Sequence, residues 1–137
     1  ARIARDGAPL QADEILIAPG DAHLLVERQA GRVVARLDRR QASSGCLPSV
    51  DPMLSAAAEI YGATACGVIL SGMGRDGAEG AARLVKSGGS ILAQDEASSA
   101  VWGMPRAVAE AGLACAILPP DKLARRVASR AGEMAWK

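Results

Sequence analysis

Short, continuously apolar runs alternate with segments of helical periodicity through the second half of the chain, and this predicts an α/β fold. Uniformly apolar strands of this length are those covered on both faces, so the expected architecture is doubly wound: a mainly parallel sheet with helices on both faces. Two β-rich runs around a glycine turn add an antiparallel hairpin near the N-terminus. At 137 residues, half of them hydrophobic, the chain has the size of a single domain spanning 1–137 and enough apolar residues for one core.

Ile15-Leu16-Ile17 reads as extended chain stopped by Ala18-Pro19-Gly20-Asp21. Leu24-Leu25-Val26 and Val33-Val34-Ala35-Arg36-Leu37 flank Ala30-Gly31 and form the hairpin. The polar stretch 39–48, with Gly45 and Pro48, is a long loop. Asp51 then reads as an N-cap and Pro52 as the first residue of a helix, because Met53, Leu54, Ala57, Ile60 and Tyr61 recur at helical spacing until Gly62. Asp51 is assigned to capping rather than to a second catalytic acid.

Gly67-Val68-Ile69-Leu70 is the next strand, and Ala78, Ala81, Ala82 and Val85 share one face of the helix that follows. Gly88-Gly89 ends that helix before the strand Ile91-Leu92-Ala93. Pro105 opens a helix rich in Ala and Val, and Ala114-Cys115-Ala116-Ile117-Leu118 is a strand stopped by Pro119-Pro120. Leu123, Val127 and Ala131 give the last helix its apolar face, with Arg125, Arg126 and Arg130 facing solvent and complementing its dipole.

Charge and composition exclude several functions. Sixteen basic and fifteen acidic residues give a net charge of +1, too little field to gather phosphates, and 2% aromatics with no Phe leave no base-stacking platform. Nucleic acid is therefore not an expected partner. No run approaches the roughly 18 apolar residues that cross a bilayer, so membrane insertion is not expected either. Three cysteines, at 46, 66 and 115, fit neither a disulfide framework nor a metal site. Cys66 and Cys115 are expected in the core, and Cys46 in a loop. With no signal peptide at Ala1-Arg2-Ile3-Ala4-Arg5, the expected setting is the cytoplasm.

In open α/β sheets, ligands gather where strand C-termini meet helix N-termini, which points to residues 71–77. Gly72-Met73-Gly74-Arg75-Asp76-Gly77 satisfies G-x-G-x-x-G, with Asp95 and Glu96 at the offset of a ribose-binding acid, so a nucleotide-binding module is one reading. Asp76 stands against it, because a pyrophosphate wants only backbone N–H groups in that turn. The other reading has the turn present a carboxylate and backbone amides to a reaction. In the plainest reading Asp76 merely caps the helix over 77–86.

The string Gly67-Val68-Ile69-Leu70-Ser71-Gly72-Met73-Gly74-Arg75-Asp76-Gly77 resembles the CheB family, the chemotaxis protein-glutamate methylesterases. The resemblance continues through Leu92-Ala93-Gln94-Asp95-Glu96-Ala97-Ser98-Ser99-Ala100-Val101-Trp102-Gly103-Met104-Pro105-Arg106-Ala107-Val108. Ala18-Pro19-Gly20-Asp21 with His23, and Pro48-Ser49-Val50-Asp51, follow the family's order. What the resemblance implies is a Ser-His-Asp hydrolase that removes methyl esters from glutamates on chemoreceptor cytoplasmic helices and deamidates certain glutamines, with no cofactor. By position, Asp76 is similar to the triad acid and the Met73 N–H to an oxyanion donor, with Gly72 and Gly74 admitting the substrate carbonyl. Trp102 and Met104 fall in a loop over 97–104 that resembles part of the cleft wall, and a core role for each stays open.

The family's nucleophile, in a G-x-S-x-G-G turn, and its His, in a Gln-His-Met segment, are not in this sequence. Both precede the part of the family domain that Ala1 matches. The expectation is therefore a partial catalytic domain whose Ser and His lie outside this chain, and whose parent carries a receiver domain. A non-catalytic relative that binds receptor or partner helices is the alternative. His23 matches a different family position, where it lines the cleft or braces the hairpin, and Leu47 replaces an arginine that commonly precedes Pro-Ser-Val-Asp. Without the preceding strands the sheet is expected to expose an edge and an apolar face.

Overall fold

The computed structural model describes residues 1–131. Its first third is extended: a short parallel pair, β1 (Arg2–Ile3) and β2 (Leu16–Ile17), then the hairpin of β3 (His23–Gln29) and β4 (Arg32–Asp38). The hairpin turns at Ala30 and Gly31, both at positive φ (48° and 78°), as a two-residue turn matched to strand twist requires. His23 pairs with Asp38 at its open end. Ala4, Leu24 and Ala35 form a small core there, with Leu10, Leu16, Ala18 and Leu37 packed against it.

Helix α1 (Val50–Tyr61) lies against β3 and ends at Gly62. After a 3-10 turn over Gly62–Thr64 come β5 (Cys66–Ile69), α2 (Ala78–Lys86), β6 (Ser90–Gln94), α3 (Met104–Glu110), β7 (Ala114–Leu118) and α4 (Pro120–Ala131). The three strands form a parallel sheet in the order β5-β6-β7, so α2 and α3 are crossover helices. Leu54 of α1, Ala81 and Leu84 of α2 and Val108 of α3 close over Ile69, Ile91 and Ala93 as the main core. Leu92 points to the opposite face by strand alternation, is itself 1% exposed, and α4 packs against its strand with Leu123 buried. Helices thus cover both faces of β6, as a doubly wound fold requires.

The strands either side of β6 are less covered. Val68 and Leu70 are exposed at β5, and β5 has no strand on its other side among the described residues, so the expected open edge is present. On β7, Cys115 and Ile117 face solvent. The expectation of a core Cys115 is thereby corrected: β7 is an edge of the three-stranded sheet, and an edge strand is packed against a neighbour on one side only. Cys66 is half-buried, and Cys46 is exposed in its loop. Arg125 and Arg126 are exposed as expected, whereas Arg130 is half-buried. Leu123 is buried and Val127 half-buried on the inner face of α4, while the side chain of Ala131 lies outside the described residues.

Two capping assignments are also corrected. Helix α1 begins one residue before Asp51, with Ser49 as its N-cap, and Asp76 does not cap α2, whose N-cap is Gly77 at φ 93°. Both helices lack a side-chain bond from their own N-cap residue, because each receives a carboxylate from the other helix's entry segment.

Candidate active site

The turn between β5 and α2 stands at the carboxyl end of the parallel strands, beside the loop between β6 and α3. Backbone bonds join the two: the Gly72 N–H donates to Val101 O (3.0 Å), and the N–H groups of Gly103 and Met104 donate to Gly72 O at 3.1 and 2.8 Å. The Val101 N–H donates to the Ser71 hydroxyl at 3.0 Å. Glycine is needed at 103, where a side chain would meet backbone, and at 72 any side chain would have to displace Met104. A Cβ at Gly103 would sit 2.8 Å from Gly72 O, and one at Gly72 would sit 2.5 Å from Met104 Sδ.

Gln94, buried at the end of β6, holds the seam from below. Its Oε1 accepts the Ser71 N–H at 2.7 Å, its Nε2 donates to Ser98 O at 2.8 Å, and its carbonyl accepts the Trp102 indole N–H at 3.2 Å. Trp102 is thus half-buried and anchored, and Met104 is half-buried against the main core. Met73 projects from the seam with 85% of its surface exposed, and its N–H takes no acceptor among the described residues. Gly74, at φ 88°, turns the chain so that Asp76 points back toward α1.

The Asp76 carboxylate is held by three donors. The Ser49 hydroxyl donates to Oδ1 at 2.6 Å, the Val50 N–H to Oδ2 at 2.8 Å, and the Asp51 N–H to Oδ1 at 3.4 Å. Partial burial pushes this carboxyl up, but the bonds from Ser49, Val50 and Asp51, with the Ser44 hydroxyl nearby, outweigh it and leave the pKa below the ordinary value. The group is ionised at neutral pH and fixed in orientation. Asp51 is the opposite case: burial raises its pKa, against the Gly80 and Gly77 N–H groups that favour its charged form.

His23 lies behind Ser49 and is 1% exposed. Its Nδ1 accepts the Ser49 N–H at 2.9 Å, and its Nε2 stands 2.8 Å from Arg40 O, so the proton belongs on Nε2. Of the two roles open to it, the imidazole has the second: it braces the hairpin against the start of α1. Residue type alone marks neither Ser49 nor Gln94; the sequence signal for Gln94 is a lone polar residue closing an apolar run, and that for Ser49 is its place in Pro-Ser-Val-Asp.

The nucleotide reading finds no support in this geometry. At the start of α2, the Ala78 N–H bonds Arg75 O, the Ala81 N–H bonds Gly77 O, and the Gly80 N–H bonds Asp51, so donors a pyrophosphate would need are engaged. Asp95 turns onto its own loop, accepting both the N–H and the hydroxyl of Ser98. No group of His, Cys and carboxylates among the described residues could hold a metal ion, and no described helix is long and apolar enough to cross a membrane.

The structure is a parallel α/β domain in which one strand-to-helix turn presents an oriented carboxylate beside a backbone N–H that meets no acceptor among the described residues. The family comparison is specific: the CheB methylesterase model matches residues 1–127, and the chain belongs to that family. It is 48% identical over 136 residues to protein-glutamate methylesterase/protein-glutamine glutaminase 2 of Caulobacter vibrioides, covering 98% of this chain and 39% of that protein. It is 47% identical to a protein of the same description, numbered 1, from Paramagnetospirillum magneticum, covering 90% of this chain and 32% of the relative. The matched chain therefore spans 32–39% of the length of these curated relatives. The crystal structure of the Thermotoga maritima CheB methylesterase catalytic domain superposes with a TM-score of 0.87 at 40% identity, over 90% of this chain and 66% of that one.

Proposed function

We propose that this chain is part of a protein-glutamate methylesterase and glutamine deamidase domain, a carboxylic-ester hydrolase acting on methylated chemoreceptor helices in the cytoplasm. The single domain over 1–137 supplies the acid and the oxyanion side of a Ser-His-Asp site. The nucleophilic Ser and the His base come from outside this chain, in a parent that also carries a receiver domain. The observation that carries this reading is the joint presence, on one family-specific turn, of the Asp76 carboxylate oriented by three hydrogen bonds and the Met73 N–H, which meets no acceptor among the described residues.

The chemistry divides accordingly. Ser attacks the glutamyl ester carbonyl while His takes its proton; the Met73 N–H donates to the oxygen that becomes negative. Asp76 holds the imidazole in the tautomer that can accept that proton and stabilises the imidazolium. Collapse expels methanol, protonated by His, and water then releases the glutamate by the same steps in reverse. With glutamine the leaving group is ammonia. Gly72 and Gly74 let the carbonyl approach the turn, and Trp102 and Met104 shape the wall beside it.

The test is methanol release from methylated chemoreceptor by this chain, beside the same chain extended upstream to include the Ser and His. Activity in the extended form alone is expected, with kcat falling about four orders of magnitude on Asp76→Asn. Unchanged activity in that variant, or none in the extended form with receptor binding retained, overturns the proposal.

A further inference from the structure

The Asp76 carboxylate owes its orientation to the start of α1, a segment to which the triad reading gives no role. Ser49 is 4% exposed and makes three polar contacts there: its hydroxyl donates to Asp76 Oδ1, lies 3.0 Å from the Ser44 hydroxyl, and its N–H donates to the buried His23 Nδ1. The His23 contact fixes the backbone, so the hydroxyl does not wander. At 2.6 Å the bond to Asp76 is the shortest of the carboxylate's three. Together with the Val50 N–H on Oδ2 it engages both oxygens and sets the plane of the group. A carboxylate that must meet an imidazole edge-on depends on that plane.

We propose that Ser49, held in place by His23, is a positioning residue for Asp76: its hydroxyl fixes the carboxylate plane in which the triad imidazole is received. The inference rests on the reading of Asp76 as triad acid. It assigns Ser49 no contact with substrate. Ser44, whose hydroxyl is near that of Ser49, completes the relay from the 39–48 loop.

Two readouts test it. In this chain, carbon-detected NMR follows the Asp76 carboxyl through acid titration: Ser49→Ala moves the midpoint upward, and Ser49→Thr, which keeps the hydroxyl, returns it toward the native value. In the chain extended to include the Ser and His, Ser49→Ala lowers kcat for methanol release about tenfold with KM unchanged. Should Ser49→Ala fail to fold, Ser49→Cys keeps the shape with a weak donor and is expected to lose activity likewise. Native kcat in either variant, or an unmoved Asp76 titration, overturns the positioning role. Asp76→Asn in the extended chain separates the failures: if it leaves activity intact the triad reading falls, and if it abolishes activity while Ser49→Ala keeps the native kcat, only the positioning role falls.

Discussion

Asp51 and Asp76 cap each other's helices. Asp51, in the first turn of α1, accepts the Gly80 N–H of α2 at 2.8 Å; Asp76, just before α2, accepts the Val50 and Asp51 N–H groups of α1 at 2.8 and 3.4 Å. Each carboxylate stands at the positive end of the other helix, which favours it. The exchange requires the helix starts to lie very close. A Cβ at Gly80 would be 2.6 Å from Asp51 O and 2.8 Å from Leu54 Cβ. The proposed triad acid is thus also a structural tie.

The acceptor at Asp51 matters more than its charge. Asp51→Ala leaves the buried Gly80 N–H without a partner and is expected to cost about 1–3 kcal/mol. Asp51→Asn keeps an oxygen in place and removes a carboxylate that burial disfavours, so it is expected to cost less than about 1 kcal/mol. Urea unfolding of both variants checks this. Equal losses would mean that the charge at the start of α2 dominates.

The two carboxylates also give opposite pH dependences. Hydrogen bonding lowers the Asp76 pKa in the folded state below 3.8, so its contribution is complete above that value and is lost as pH falls through the folded pKa. Burial raises the Asp51 pKa, so the folded state holds the proton more tightly and stability declines as pH rises from 3.8 through the raised value. Asp76→Asn is therefore expected to flatten the acid-side loss, and Asp51→Asn to remove the opposing slope above it. Stability profiles followed below and above pH 3.8 separate the windows; parallel profiles for both variants would contradict the assignment.

Hydrophobic periodicity carried most of the fold, because strands and helices with one or two buried faces write that burial into residue order. Leu54, Ala81 and Ile91 lie in runs that read as inward-facing, and they meet in the main core with Val108; on α2 the expected face is only partly right, since Ala82 and Val85 are exposed and Leu84 is the buried partner of Ala81. What was not readable depended on neighbours distant in sequence. Ser49, Asp51 and Asp76 each have a residue type suited to capping, and residue order alone assigned each carboxylate to its own helix. The tertiary contact of α1 with α2 exchanged them. Cys115 failed similarly: an apolar strand reads as buried, whereas its actual exposure depends on which layers lie over the edge of the sheet.

The three thiols are expected to react in an order set by exposure. Burial pushes the Cys66 thiol up to about 11, which leaves little thiolate at neutral pH, and its side chain is half-buried. Cys46 and Cys115 are exposed. Alkylation followed by peptide mass spectrometry should label these two before Cys66, and modification of Cys66 at an equal rate would contradict the burial of β5 beside β6.

The seam between the two loops should be sensitive at Gly103, which contacts no part of the Asp76 cap. Its added Cβ would meet Gly72 O at 2.8 Å and Gly74 N at 2.9 Å, backbone atoms with no flexible end to yield. Gly103→Ala must therefore push the turn carrying Met73 away from the β6–α3 loop, while Asp76 stays tied to α1. Displacing an oxyanion donor by about 1 Å is enough to lower kcat roughly a hundredfold. In the chain extended to include the Ser and His, the expected result is that loss of methanol release with the Asp76 carboxyl titration unmoved. A variant that shifts the titration as well would show that the seam and the carboxylate clamp move as one unit, and one with native kcat would remove Met73 from the oxyanion role.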